Sequence, residues 1–136
     1  MLPRNYWIHQ NTIMYDMHSF PKGALGFVYI LEAPNGIKYI GRKLLWNKKN
    51  RKKVESNWQD YFGSSKDFLK IVQEFGKDRI ARKILWICFT LSEMIYLESY
   101  EIFHRHALID STYANKWILC RVRAENLGKI YLTETT

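Results

Sequence analysis

The sequence predicts a small α/β (α+β) domain in which a three-stranded, mainly antiparallel sheet is flanked by helices. Three observations predict it. Two short apolar runs flank a Pro-Asn-Gly turn, which is typical of a β-hairpin. A helical run and then a strand-like run follow, and a second helical run comes after them. The order strand, strand, helix, strand, helix is typical of a layered domain with one sheet.

The hairpin lies in the stretch GFVYILEAPNGIKYIG, residues 26–41. Pro34 suits the second position of a type I turn, Asn35 suits the third, and Gly36 can then take the left-handed conformation. This chemistry predicts a three-residue loop with a glycine bulge, closed by Ala33.

The turn also sets the register of the two strands. Ala33 should pair with Ile37, and Leu31 should pair with Tyr39. Because side chains alternate between the faces of a strand, Tyr29 should share a face with Leu31 and hence with Tyr39. The sequence therefore predicts two phenols on one face of the sheet.

An amphipathic helix is predicted over 65–75. Ser64 or Ser65 can cap it, and Gly76 ends it. Its apolar residues recur at i, i+3, i+4 and i+7, namely Phe68, Ile71, Val72 and Phe75. The run 79–89 is rich in β-branched and aromatic residues and predicts the third strand.

The second helix begins with a capping box formed by Thr90 and Glu93. One stripe of this helix carries Leu91, Ile95, Glu98 and Ile102. Glu98 thus stands where the pattern favours an apolar residue, and a carboxylate there is costly unless it is paired or binds a cation. A salt bridge with an Arg or Lys and a position at the exposed edge of the stripe are the alternatives to cation binding.

Positive charge is concentrated in one part of the chain. The formal net charge is +8, and residues 42–53 hold seven basic residues and no acid. Such a cluster is typical of phosphate-backbone binding, although a solvated loop would also account for it. The candidate DNA-binding residues are Lys48, Lys49, Arg51, Lys52 and Lys53, together with Arg121 and Arg123 in the tail.

Composition limits the remaining function classes. The 136 residues are 47% hydrophobic and 15% aromatic, which favours one folded domain. No apolar run approaches the roughly 20 residues of a membrane span, and the N-terminus lacks the pattern of a signal peptide. Cys88 and Cys120 lack the spacing of a disulfide framework or a zinc site. We therefore expect a cytoplasmic protein without membrane association.

We divide the chain into an N-terminal arm (1–25), a central domain (26–121) with a basic insertion (42–58), and a C-terminal extension (122–136). The arm has weak periodicity, so packing on the domain and contact with a partner are both open. The segment after residue 117 is consistent with a short strand or a final helix.

Other polar and aromatic residues have ordinary explanations. His104 and His106 suit the C-terminal end of the second helix, where imidazolium is favoured, more than proton transfer. Trp46, Trp58 and Trp117 are candidates for stacking on bases, although Trp58 is expected in the core. Ser64 and Ser65 are expected to be helix caps, because no base lies beside them in the local pattern.

Several of these motifs together resemble a known family. The tripeptide FVY, ending at Tyr29, is followed ten residues later by YIG, which begins at Tyr39. The motifs FGSSKDFLKIVQEFG, RKIL, YLESYEI and YANKW then follow in order. This series is similar to the GIY-YIG nucleases, and YIGRK, DYFGSS, YLE and CRV are most similar to the phage Seg-type free-standing homing endonucleases. The resemblance covers residues 26–121.

The resemblance implies a metal-dependent endonuclease that cuts double-stranded DNA. It implies that Tyr29 contributes the general base and that Tyr39 orients water or contacts the phosphate. It implies that Glu98 holds a single Mg²⁺ (or Mn²⁺), and that Asn115 supports the site. Gly41 would give the chain room to turn. We expect Glu98 to approach the face that carries the two tyrosines.

The chain departs from the family pattern at one position. The family arginine lies on a helix about eight residues after the YIG glycine, but here that count falls within the basic insertion. Arg42 and Lys43 directly follow the motif instead, and either is a candidate for the phosphate-stabilising cation. A positive charge is needed because free tyrosine has a pKa of about 10.

The expected chemistry needs an activated water and relief of the growing phosphate charge, which a magnesium-bound carboxylate and a nearby cation supply. A homodimer on DNA is consistent with cutting both strands from one site per chain. The alternative is a catalytically degenerate nuclease fold that acts as a DNA-binding module.

Overall fold

The computed structural model describes residues 5–118 and 120–127. Two α-helices and seven strands occur in this part of the chain. The bounds are β1 Trp7–His9, β2 Thr12–Met14, β3 Gly26–Glu32, β4 Lys38–Leu44, β5 Trp46–Lys49, β6 Lys52–Glu55, α1 Lys66–Phe75, β7 Ala81–Cys88 and α2 Leu91–His104. No helix here combines the length and apolar character that crossing a membrane requires.

The main sheet has five strands in the order β2-β1-β7-β3-β4, so the expected count of three was wrong. The three predicted strands are β3, β4 and β7, and β1 pairs with β7 in parallel. The two additional strands come from residues 7–14, which we had placed in an N-terminal arm. Strands of three residues are too short to show a clear alternation, but Trp7 and Met14 are both buried and fix them to the core.

The β3–β4 hairpin has the predicted turn and register. Leu31 pairs with Tyr39, and Tyr29 pairs with Gly41. The amide of Ala33 donates to the carbonyl of Ile37 at 2.9 Å. Gly36 has a φ of +86°, the left-handed conformation that the bulge requires. The turn prediction is confirmed.

Each face of the sheet has its own core. Phe27, Tyr29 and Leu31 of β3 pack toward α1 together with Trp58 and other apolar residues. The alternate residues of β3 pack toward α2, in a cluster that also contains Ile40, Met94 and Leu97. A sheet covered on both faces explains why β3 is almost continuously apolar.

Both helices begin at the predicted caps. The hydroxyl of Ser65 accepts from the amide of Phe68 at 3.2 Å, and Thr90 accepts from Glu93 at 3.1 Å. The carboxylate of Glu93 accepts from the amide of Phe89, one residue before the cap. These contacts satisfy amides that a helix N-terminus leaves unpaired.

The core-facing stripe of α2 differs from the expected one. Met94, Leu97 and Ile102 are buried, whereas Leu91 is half exposed. The helix is therefore rotated relative to the predicted stripe, and Glu98 lies at the edge of its buried face. Tertiary packing against β3 and β4 decides this rotation, because both sides of the helix carry apolar residues.

The basic insertion is largely a second hairpin, which sequence analysis took for an irregular segment. It consists of β5 and β6, and Lys48 pairs with Lys53. Asn50 and Arg51 form its two-residue turn with φ values of +53° and +63°, as in a type I′ turn. Asparagine tolerates this conformation, but arginine is not a typical residue for such a turn. Because the strands carry mostly like charges, the sequence also lacks the alternation that would predict a hairpin.

The outer edge of β4 is covered by residues 112–115, which we call the edge strap. The amide of Lys38 donates to Thr112 and its carbonyl accepts from Ala114, both at 2.7 Å. Beyond the strap, the described residues 120–127 contain a 3-10 turn at Ala124–Asn126, where sequence analysis had allowed a strand or a helix. The end of the C-terminal extension lies outside the described residues.

Candidate active site

A cleft of about 540 Å³ opens at the outer edge of β4. Its walls come from both faces of the sheet, from the N-terminus of α1, from α2 and from the edge strap. Its lining includes Tyr29, Tyr39, Arg42, Ser64, Glu98 and Asn115.

Tyr29 reaches this cleft from β3 by crossing its neighbour strand at a glycine. A Cβ added to Gly41 would lie 2.6 Å from Cζ of Tyr29, closer than real side chains approach. The absence of a side chain at Gly41 therefore lets the phenol lie over β4, with its hydroxyl toward the edge. Gly41 is therefore needed to make room for the Tyr29 ring, whereas the resemblance suggested only that it lets the chain turn.

Tyr29 lies in a group of three tyrosines. Its ring centroid is 6.4 Å from that of Tyr39 and 6.0 Å from that of Tyr61. Burial raises the pKa of Tyr29 well above 10.0, and Tyr61, Tyr39 and Glu98 raise it further. The isolated protein therefore keeps Tyr29 neutral at physiological pH.

Tyr39 lies beside the N-terminus of α1. Burial raises its pKa, and a hydrogen bond with Ser64 partly opposes the rise. Its ring also lies 6.2 Å from that of Phe68, the first buried residue of α1. The turn that precedes α1 and the helix itself thus hold this phenol in the cleft.

Glu98 comes from the helix on the opposite face of the sheet, but at the sheet edge its carboxylate approaches Tyr29 and Tyr39 in the cleft, as expected. It projects from α2, and the carboxylate lies 3.7 Å from the guanidinium of Arg42. Arg42 alternates with the tyrosines along β4 and therefore points to the α2 side. The groups meet because β4 is the edge strand and the cleft wraps around it.

Glu98 is only partly shielded from water. Its side chain keeps 19% of its surface exposed, and burial raises the pKa of the carboxyl while Arg42 lowers it. Arg42 is 38% exposed and lies at the cleft mouth. A cation and a carboxylate are thus both available to a ligand in the cleft.

The second candidate cation, Lys43, does not line the cleft. It lies on the tyrosine face, and its ammonium is 4.2 Å from the ring centroid of Tyr61. Burial lowers the pKa of this lysine. Of the two basic residues after the motif, Arg42 is therefore the one placed at the cleft.

Asn115 connects the edge strap to β4. Its side-chain oxygen accepts from the amide of Ile40 at 2.9 Å, and its side-chain nitrogen donates to the carbonyl of Ile40 at 2.8 Å. The amide thus completes the edge of β4 as another strand would. This geometry fits a supporting residue, because both of its polar groups already have backbone partners.

Sequence reasoning missed Tyr61, whereas it named Trp117 as a candidate for stacking on bases. Tyr61 follows Asp60 in the motif DYFGSS, but only the fold brings it to Tyr29. Trp117 lines the cleft and is 69% exposed, and the pairing of its neighbour Lys116 with Asp67 joins the strap to α1.

The predicted DNA-binding residues lie outside the cleft lining. Lys48, Lys49, Arg51, Lys52 and Lys53 are all exposed on the second hairpin. Arg121 and Arg123 are exposed in the described part of the tail, where Arg123 pairs with Glu125 at 3.6 Å. Trp58 is fully buried, as expected.

The cleft suits a hard divalent cation. Glu98 offers carboxylate oxygens, and the ion pair that they form with Arg42 is long, at 3.7 Å. Magnesium accepts one or two carboxylates and keeps several waters. Within residues 5–118 and 120–127, no group of three or more His, Cys, Asp or Glu residues could hold a metal ion, so Glu98 would act as a single protein carboxylate. The donor set therefore fits Mg²⁺ or Mn²⁺ better than zinc.

The fold and the cleft define a mixed α+β domain with a tyrosine-rich site at a sheet edge. A family model described as "Putative endonuclease segE, GIY-YIG domain" matches residues 7–118. The chain belongs to this family of GIY-YIG nuclease domains, and the match includes the strands β1 and β2. Comparisons with curated proteins and with solved structures gave no match.

Proposed function

We propose that this chain is a metal-dependent endonuclease that hydrolyses phosphodiester bonds in double-stranded DNA, as phage homing endonucleases do. The observation that carries the proposal is the convergence of Tyr29 and Tyr39 with Arg42 and Glu98 at one cleft. They come from opposite faces of a sheet, in a chain that belongs to a nuclease family.

Arg42 is the residue proposed to bind the scissile phosphate. Its guanidinium presents a planar set of donors, and its exposure leaves donors for a phosphate oxygen. The excess of basic residues over the whole chain would attract DNA to the cleft. Loss of Arg42 should therefore weaken both binding of the phosphate and stabilisation of its developing charge.

The tyrosines are proposed to position the attacking water. Tyr29 is neutral in the isolated protein, so its hydroxyl first acts as a hydrogen-bonding group. It can accept a proton from water only when positive charge beside it lowers its pKa. Tyr39, held by Ser64, would orient the same water or a phosphate oxygen.

Glu98 is the residue proposed to hold Mg²⁺ or Mn²⁺. The ion, when bound, supplies Lewis-acid stabilisation of the leaving oxygen. Glu98 keeps its place through the packing of α2 on β3 and β4, and Arg42 beside it favours its ionised form. The chain thus presents a carboxylate where a hydrated cation can reach it.

The direct test is DNA cleavage by purified protein. Wild type and Glu74→Gln, a matched change at an exposed glutamate of α1, should cleave supercoiled plasmid with Mg²⁺, and cleavage should stop on addition of EDTA. Glu98→Gln should cut at least a hundredfold more slowly and should lose Mn²⁺ binding measured by electron paramagnetic resonance. Equal cleavage by Glu98→Gln and wild type would refute the assignment.

A DNA-binding module without catalysis is the second candidate. The exposed basic hairpin favours it, because DNA contact there needs no chemistry in the cleft. Such a module would bind DNA equally well with EDTA, would weaken with salt and would never nick. Cleavage that depends on both Mg²⁺ and Glu98 excludes it.

A homodimer on DNA follows from the same proposal. The described part of the chain contains one site with Arg42 and Glu98, so one copy of the protein would cut one DNA strand each time it binds. A dimer would release linear plasmid without a nicked intermediate, whereas a monomer would accumulate nicked circles first. We further propose that the enzyme acts in the cytoplasm, in that of the host cell if a phage encodes it.

A further inference from the structure

The β5–β6 hairpin combines a rigid base with an exposed body. Leu45, fully buried, fixes the start of β5. Trp46 donates from Nε1 to the carbonyl of Ala24 at 3.2 Å, and Ser56 donates its amide to Leu45 at 2.8 Å. The body of the hairpin therefore projects from the domain in a fixed direction.

The body is unfavourable for an isolated hairpin. Lys48 lies directly opposite Lys53, and Lys49 lies opposite Lys52. Like charges in directly opposed positions destabilise a strand pair. The pattern is favourable only when polyanionic groups lie against it, because phosphates neutralise the lysines and release counterions.

The two faces of the hairpin differ in chemistry. One face, which we call the anchored face, carries Trp46, Lys48, Lys53 and Glu55; Lys53 lies 4.5 Å from the centroid of the Trp46 ring, and Glu55 accepts from Trp58. The opposite face, which we call the outer face, carries Asn47, Lys49, Lys52 and Val54. Asn47 lies directly opposite Val54, which is 37% exposed.

We infer that the outer face reads base pairs in the major groove of DNA and sets where the nuclease cuts. This inference rests on the proposed endonuclease function and deepens it. A two-stranded ribbon fits the major groove, which is about 12 Å wide, but not the minor groove of about 6 Å. The amide of Asn47 can pair with both N6 and N7 of adenine, and Val54 can contact a thymine methyl group.

The position of the hairpin supports this role. At about 3.3 Å per residue, the turn at Asn50 and Arg51 lies no more than about 30 Å from Arg42 along the chain. One turn of DNA spans about 34 Å. The bases read by the outer face should therefore lie within one helical turn of the cut phosphate.

The test uses the full chain and a DNA library with random sequence on both sides of the cut, sequenced after cleavage. Wild type should show a base preference within one turn of the cut. Asn47→Ala and the double variant Lys49→Ala/Lys52→Ala should lose about tenfold or more of the discrimination at those positions. The matched double variant Lys48→Ala/Lys53→Ala, on the anchored face, should lower binding to all sequences and keep the preference.

Each result decides the inference. An unchanged preference in the outer-face variants overturns it, as does an equal loss in the anchored-face variant, a wild type without preference, or a preference for double-stranded RNA. If wild type does not cut, the same library is selected by binding, so that failure of the nuclease proposal is separated from failure of groove reading. Absence of both cutting and binding overturns the two together.

Discussion

The two hairpins of this protein have opposite construction. In the inner hairpin, β3–β4, cross-strand neighbours such as Ile30 and Ile40 are buried, and both faces are covered. In the outer hairpin, β5–β6, the opposed residues include two pairs of lysines, and only the base contacts the core. One hairpin is stabilised by burial within the chain, whereas the other exposes most of its charge to solvent.

If the proposed function holds, this difference separates catalysis from recognition. The inner hairpin needs register accurate to one residue, because a slip would move Tyr29 away from Gly41. The outer hairpin needs only a stable base and an exposed face. Changes to the inner hairpin should therefore affect stability and cleavage together, whereas changes to the outer hairpin should affect DNA binding and leave the fold intact.

The largest effect is expected from Gly41→Ala. The new methyl group would collide with the ring of Tyr29, so either the phenol leaves the cleft or β4 shifts. Overpacking of this kind costs roughly 1–3 kcal/mol. We expect that loss in the free energy of unfolding, measured with urea, and a fall in plasmid cleavage of at least a hundredfold.

Gly36→Ala is the matched control within the same hairpin. A Cβ there meets nothing within 4 Å, but the φ of +86° is strained for alanine. Its cost should be about 1 kcal/mol of stability, with cleavage preserved under conditions where the protein is folded. If Gly41→Ala keeps full cleavage, Tyr29 does not need the passage over β4, and the cleft has been misassigned.

A smaller effect is expected from Asn115→Ala. The change removes two hydrogen bonds to Ile40 and uncovers part of the edge of β4. We expect a loss of about 2 kcal/mol in the free energy of unfolding, on the scale of about 1 kcal/mol for each bond. Lys116→Ala, in the next residue, removes an ion pair with Asp67 that is exposed to solvent, and it should cost clearly less stability than Asn115→Ala. Equal losses would mean that the edge strap adds nothing specific to β4.

The inner hairpin was predictable from sequence, and the outer one was not. Pro34, Asn35 and Gly36 define a turn type, and the turn type fixes which residues pair, so local chemistry was sufficient. At Asn50 and Arg51 the turn contains no glycine, and the lysines mask the alternation that would indicate a strand.

Long-range contacts account for the remaining differences at the site. No local pattern indicates that α2 lies on the face away from the tyrosines, or that Tyr61 reaches Tyr29. The predicted apolar stripe of α2 identified Glu98 as an unusual residue, although the observed buried face of the helix is rotated relative to that stripe. The residue types of the site were thus predictable, but the face from which each enters was set by packing.

Lys52→Glu should change stability and binding in opposite directions. It replaces a Lys–Lys pair with a Lys–Glu pair across the outer hairpin, which should add roughly 0.2–1 kcal/mol to stability. DNA affinity should fall, and the dependence of binding on salt should become less steep. Lys83→Glu makes the same change in net charge on β7, two strands away from β4, and should reduce affinity less. Equal loss of affinity in both variants would show that the overall charge, rather than the hairpin, attracts DNA.

The smallest effect is a difference in thiol labelling. Cys88 pairs with Gly26 of the inner hairpin and is fully buried, and burial raises the pKa of its thiol from 9.0 to about 12. Cys120 is exposed. At pH 8, iodoacetamide should label Cys120 within minutes and Cys88 only as the sheet opens, because the thiolate is the reactive form. Mass spectrometry of peptides distinguishes the two sites.

The same thiol also reports which hairpin a mutation disturbs. Because the pKa of Cys88 is higher in the folded state, its stabilising contribution is complete below about pH 9 and declines as the pH rises toward 12. At a fixed pH of 8, below this window, the rate at which Cys88 is labelled reports how often the sheet opens. Labelling should accelerate in Gly41→Ala and stay unchanged in Lys52→Glu. Acceleration in Lys52→Glu would mean that the outer hairpin is coupled to the core, and the division between a catalytic and a recognition hairpin would then fail.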